Sequence, residues 1–151
     1  MTPDDIIKII TSQLEDVKPK SSWGETSLFY NPQNKLPNGV YFCAIKEKDG
    51  GNDKSSDLSR KNIFRLSIGI PKNDYIAEFG DKPKPPEKGG IVTTGHDFTQ
   101  VDVLMPHPIY AWMSWVCILS PSRNNFENIL PLINKAHANA MIKFDKKIGK
   151  K

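Results

Sequence analysis

The chain opens with apolar residues at helical spacing. Ile6, Ile9, Ile10 and Leu14 form a stripe that Val17 extends until Pro19 ends it. Thr2 is placed to cap this helix, Pro3 suits its first position, and Thr2-Pro3-Asp4-Asp5 approximates a capping box. The period then shortens to two. Thr26–Tyr30 is short and aromatic, and Val40–Lys46 is rich in β-formers and follows a Pro37-Asn38-Gly39 turn signal. These two segments predict a hairpin with a loop of about nine residues, longer than most. Ile63–Ile70 is the clearest strand. In it Phe64, Leu66, Ile68 and Ile70 alternate with Arg65, Ser67 and Gly69, which predicts one buried face and one open face. Asp74–Phe79 predicts a short helix stopped by Gly80, residues 98–104 an extended stretch, and Trp115–Leu119 the last strand.

Asn124 and Glu127 then make an N-cap pair for a closing helix. Its apolar stripe is Phe126, Ile129, Leu130, Ile133, His137, Ala140 and Met141, with Pro131 inside it as either a kink or a start. Between the elements, residues 47–60 are polar and predict an exposed loop. Residues 81–95, with three Pro and three Gly, predict a long flexible excursion of the functional or disordered kind. Pro106-His107-Pro108 imposes a rigid turn, because each proline fixes its own φ and biases its predecessor away from helix. The result is an α+β chain: an antiparallel sheet of four to five strands with N- and C-terminal helices on one face, burying Phe64, Leu66, Ile68 and Ile70. Each such side chain contributes about 1.5–3 kcal/mol when fully buried.

Composition changes this picture little. A chain of 151 residues with 38% hydrophobic and 25% charged residues fits one soluble domain. No apolar run is long enough to span a membrane. The opening MTPDDIIKII puts two Asp where a signal peptide needs positive charge, so the reading is cytoplasmic. Charge alters the picture more. Residues 143–151 (KFDKKIGKK) carry the whole net charge of +4, and residues 1–142 balance to zero. We therefore divide the chain into a single α+β domain over 1–142 and a basic tail over 143–151. Such a tail can hold phosphates loosely or simply be a frayed, solvated helix end.

Several segments together resemble a family of small, uncharacterised bacterial proteins, a domain of unknown function. They are Trp23-Gly24-Glu25-Thr26-Ser27-Leu28-Phe29-Tyr30, Ile63-Phe64-Arg65-Leu66-Ser67-Ile68-Gly69, Leu104-Met105-Pro106-His107-Pro108-Ile109-Tyr110 with Trp115-Val116, and Leu132-Ile133-Asn134-Lys135-Ala136-His137. More distantly, the Trp-Gly before the first strand and the Tyr followed by Trp-Val resemble the MmcQ/YjbR-like proteins. That resemblance implies a compact α+β fold and, for many of its members, DNA binding. This chain departs from the group in its Arg65-Leu66-Ser67-Ile68-Gly69 strand, its Pro-rich loop and its uncharged body.

The chemistry-bearing residues exclude more than they assign. His96, His107 and His137 have no metal-ligand spacing, so no metal and no cofactor is expected. Cys43 and Cys117 lie within hydrophobic strands, where core is the commoner role. Neither a phosphate loop nor a nucleophile elbow occurs. Paired carboxylates such as Asp4-Asp5 and Glu15-Asp16 are explained by capping and solubility. Tyr110, Trp112 and Trp115 do not share one face at their spacing, which favours packing over a stacking platform for bases.

One constellation remains: Arg65, His107 and Tyr110, framed by Trp23 and Trp115. An Arg projecting from a half-buried strand can hold a carboxylate or phosphate bidentately, and a His locked between prolines is a pre-organised titratable ring. Opposing this, Arg65 can pair with Asp57, Asp102 or another internal carboxylate, while His107 caps a turn and Tyr110 packs. The leading function is a non-enzymatic module binding an anionic small molecule or a protein partner on the open sheet face. One alternative is a nucleic-acid-binding protein, and a second is an enzyme using His107 as base and Arg65 as anion clamp. The open face could also join two copies of the chain as a homodimer.

Overall fold

The computed structural model describes residues 1–149. Three helices and six strands follow in the order α1 (Pro3–Gln13), β1 (Val17–Ser22), β2 (Glu25–Tyr30), β3 (Val40–Lys46), β4 (Arg65–Gly69), α2 (Lys72–Phe79), β5 (Met105–Pro106), β6 (Trp115–Leu119) and α3 (Arg123–Lys147). The strands form one antiparallel sheet in the order β1-β2-β3-β4-β6-β5. The architecture is α+β as expected, with six strands in place of four to five. The additions are the outermost strands. β5 has only two residues. β1 (Val-Lys-Pro-Lys-Ser-Ser) is an edge strand whose last four residues are all exposed, so it lacks the alternation that marks a half-buried strand.

The capping box of α1 forms as read: the Thr2 hydroxyl accepts from the Asp5 N–H, and the Asp5 carboxylate accepts from the Thr2 N–H. The helix stops at Gln13, well before Pro19, and Val17 begins β1 instead of extending the stripe. Ile6 and Ile10 are fully buried. α3 lies over β3 with contacts to β2 and β4. It buries Phe126, Ile129, Ile133, Ala136, His137, Ala140 and Phe144, whereas Met141 is exposed. Its cap is Ser122, whose hydroxyl accepts from the Asn125 N–H, so Asn124 lies inside the helix. Pro131 also lies inside it and neither starts nor ends it. The helix continues past residue 143, where the sequence placed a tail, and Phe144 packs edge-on against Tyr30 at 5.3 Å. Lys150 and Lys151 of that stretch lie outside the described residues. No helix among the described residues is long and apolar enough to cross a membrane.

Two features of the sheet shape its other face. The ladder between β2 and β3 slips opposite Leu28/Phe29, so that Phe29 pairs with Tyr41 and Phe42 is passed over. Phe42 turns to the helix side, 5.6 Å from the His137 ring, while Tyr41 joins Phe29 on the opposite face. The loop over 47–60 is not the exposed excursion expected. Ser56 and Leu58 are buried, and the Asp49 carboxylate accepts from the Leu58 N–H. Through Asp53 and Ser56 this loop covers Arg65 on the far face of β4, and Arg65 and Ser67 are nearly as buried as Leu66 and Ile68. The half-open strand of the sequence is thus covered on both sides.

Candidate functional site

The register of the sheet places Glu25, Ser27 and Phe29 of β2 in line with Lys46 and Tyr41 of β3, Arg65 and Ser67 of β4, and Trp115 of β6. Above them runs the connection from β5 to β6. The His107 N–H donates to the Trp115 carbonyl at 3.0 Å, and the Ala111 N–H donates to the His107 carbonyl at 3.1 Å. A 3₁₀ turn over Ala111–Met113 ends in a left-handed Ser114. Strand face and connection enclose a cleft of about 580 Å³. Of the residues singled out in the sequence, Arg65, His107, Tyr110 and Trp115 line it together. Trp23 does not: it stands 94% exposed at the tip of the β1–β2 hairpin.

The floor is polar and the wall aromatic. Tyr41 stacks on Trp115 with centroids 4.9 Å apart and planes 29° apart, and Phe29 adjoins Tyr41 at 5.5 Å. Gly69 makes this possible, because a Cβ there would lie 2.7 Å from the Trp115 indole. Tyr110 and Met113 form the rim and are about half exposed. Phe29, Tyr41 and Met113 escaped the sequence reading. The first two share a face only because of the bulge, and Met113 carries no local signal.

Arg65 is 98% hidden, with 2% of its surface exposed. It does not pair with Asp57 or Asp102. The end of its guanidinium grips Asp53: Nη1 donates to Oδ1 at 2.8 Å and Nη2 donates to Oδ2. Nη1 also donates to the Ser56 hydroxyl at 3.0 Å. Burial works against the guanidinium charge, and Asp53 more than restores it. Burial likewise pushes Asp53 up, and the Arg65 hydrogen bond and charge override it, holding the carboxyl below its ordinary range. Arg65 is therefore not a free anion clamp. One side of the group is still unspent, because Nε has no acceptor among the described residues.

His107 is buried and caps a turn, as the competing reading had it. Its Nδ1 accepts from the Ile109 N–H at 3.1 Å and the Tyr110 N–H at 3.2 Å. With Nδ1 accepting, the ring proton sits on Nε2, the tautomer fixed by its partner. Burial, aided by the neighbouring Arg65 charge and opposed by Asp53, holds its pKa well below the usual histidine value. The ring is thus a neutral donor at pH 7, poorly suited to act as a general base. Cys117, opposite Ser67 on β6 and pushed up to about 12 mainly by burial, is an inert thiol. The remaining charges pair loosely, with Lys46 Nζ 4.0 Å from Glu25. The described residues contain no cluster of three or more His, Cys, Asp or Glu able to hold a metal.

A model of a family of unknown function, DUF6194, matches residues 1–149. The chain belongs to this family. A crystal structure of a protein from Pseudomonas syringae is similar to this DUF6194 chain over 90% of its length and 96% of the other chain, with 13% identity and a TM-score of 0.44. That level of likeness carries no argument about the site. No curated protein matches the sequence. Of the resemblance read in the sequence, the match shows the uncharacterised family.

Proposed function

We propose that this protein is a non-enzymatic binding module that takes a small molecule into the cleft on the face of its sheet opposite α3. One observation carries the reading: Arg65 of β4 and, some forty residues further along the chain, His107, Tyr110 and Trp115 line one concavity of about 580 Å³. That size is usual for small-molecule sites, as is the combination of an aromatic wall with a few fixed polar groups. The groups are held in advance. Trp115 is stacked, His107 is fixed by two backbone N–H groups, and Arg65 is fixed by Asp53 and Ser56. Such preorganisation lowers the cost of binding. The same arrangement speaks against catalysis, since the imidazole already bears its proton on the free nitrogen and the thiol is inert.

The test uses a Trp23→Phe/Trp112→Phe variant, in which Trp115 is the sole indole. Titration with a panel of planar aromatic and heteroaromatic compounds is expected to give saturable changes in Trp115 emission. Tyr110→Ala in the same background is expected to weaken them. Compounds that bind while leaving Trp115 emission and the His107 and Tyr110 amide signals unchanged would overturn the reading.

A further inference from the structure

We propose that the cleft recognises a carboxylate carried on a flat, unsaturated body, held by the unspent side of the Arg65 guanidinium together with His107 Nε2–H. This rests on the small-molecule reading above and names its ligand class.

The argument begins with the donors of Arg65. A guanidinium has five N–H groups in a fixed planar fork. Asp53 takes the two at the end, from Nη1 and Nη2, and Ser56 takes the second one on Nη1. What remains are the Nε–H and the second Nη2–H, which lie parallel in the plane along one edge of the group and match the two oxygens of a carboxylate. Nε is fully buried without an acceptor among the described residues, and an unmet donor on a buried cation is costly. An incoming oxygen pair removes that cost. His107 adds a third donor, since its Nδ1 is occupied and its proton therefore sits on Nε2.

Charge then decides among oxygen-bearing groups. Glu25, Lys46, Asp53 and Arg65 line the cleft and sum to zero, and His107 is neutral. A phosphate dianion would bring two negative charges beside Asp53 and Glu25 with no unpaired cation to meet them. A neutral amide carbonyl offers one oxygen to a fork with two donors. A monoanionic carboxylate fills the fork and adds a single negative charge to a cleft whose own charges cancel. The body of the ligand follows from the wall: the Tyr41–Trp115 stack and Tyr110 offer flat apolar faces.

The experiment compares 2-naphthoate, 2-naphthamide and 2-naphthyl phosphate on the full chain, by titration calorimetry and by ¹H–¹⁵N spectra that include the arginine Nε–H signals. Naphthoate is expected to bind about tenfold or more tightly than the amide or the phosphate, and to move the Arg65 Nε–H signal downfield. Arg65→Lys keeps the charge facing Asp53 and loses the fork. It is expected to bring naphthoate down to the affinity of the amide, which should itself change little. If that variant does not fold, the three ligands and the Nε–H signal decide alone. Equal binding of naphthoate and naphthamide, or tighter binding of the phosphate, with cleft signals perturbed in each case, would overturn the carboxylate assignment and leave the small-molecule reading intact. Binding that perturbs no cleft signal, or no binding by any of the three, would overturn the carboxylate assignment, and Trp115 emission across the wider panel then decides the small-molecule reading separately.

Discussion

His107 is surrounded by charge and carries none. Arg65 from β4 faces it as a cation and Asp53 from the 47–60 loop as an anion, and burial with the Arg65 charge outweighs the Asp53 carboxylate. Its pKa is lower folded than unfolded, so between the two values the unfolded chain binds the extra proton. Stability is then full above the unfolded value of about 6.5 and falls as pH drops below it, by at most about 1.4 kcal/mol per pH unit. We expect the urea midpoint to fall between pH 7 and pH 5, and to fall less in His107→Asn, whose amide oxygen can still accept from Ile109 and Tyr110 N–H. Equal slopes in the two proteins would remove His107 from the explanation. Asp53 makes a second residue-scale prediction. Asp53→Asn leaves Arg65 a buried cation without its counter-charge. The cost should be about 2–3 kcal/mol, below the 3–5 of fully buried pairs because the Asp53 side chain is 19% exposed. Denaturation at pH 7 measures it, and a loss under about 0.5 kcal/mol would mean that the pair is dispensable. The sequence offered an internal carboxylate for Arg65 and a turn for His107 to cap, but not that the carboxylate is Asp53. Asp53 lies in EKDGGNDKSSDLSR among three other acidic residues, Glu47, Asp49 and Asp57, with no periodicity to say which one reaches Arg65.

The elements divide by how much of their pattern a buried face imposes. β2, β3, β6 and α2 were legible because apolar spacing, turn residues and stops agree there. β1 was not, since an exposed edge strand containing Pro19 has no buried face to write a pattern. Its hairpin with β2 turns on Trp23 and Gly24, both at positive φ (53° and 77°), a two-residue turn that favours Asn-Gly. Trp23→Asn should therefore stabilise the fold by about 0.5–1 kcal/mol and leave the cleft's ligand affinity unchanged. A rise in thermal midpoint checks the first part. A loss of affinity would return Trp23 to the site from which its position removes it. On β4 the relation between element and site is closer, because Gly69 is where the Trp115 ring lies against the strand. Gly69→Ala must push the indole off that seat at a cost of about 1–3 kcal/mol. It should weaken cleft ligands by more than it lowers stability would suggest, visible as lost Trp115 perturbation in a protein that remains folded. Retained affinity would show that the stack with Tyr41 is packing alone.

At the scale of the whole molecule, charge and core part company at the C-terminus. The excess of Lys gathers in residues 143–151, which suggested a separable tail able to hold phosphates. Yet Lys146 and Lys147 occupy the last turn of α3, where positive charge meets the negative end of the helix dipole, so a structural role accounts for them. Between them and the body sits Phe144, 2% exposed and edge-on to Tyr30. A deletion of 143–151 would therefore remove a core side chain along with the lysines, and any lost binding could reflect a weakened fold. Two variants separate these effects. Phe144→Ala, which keeps every charge, should cost about 3–5 kcal/mol, the usual range for a buried Phe. Lys146→Gln/Lys147→Gln, which keeps the core, should cost about 1 kcal/mol or less. A nucleic-acid role for the tail requires the second variant to bind a duplex measurably more weakly than the parent and to show a shallower salt dependence. If instead the parent binds no duplex at moderate salt and only Phe144→Ala changes the molecule, the end of α3 acts as part of the core that holds the sheet.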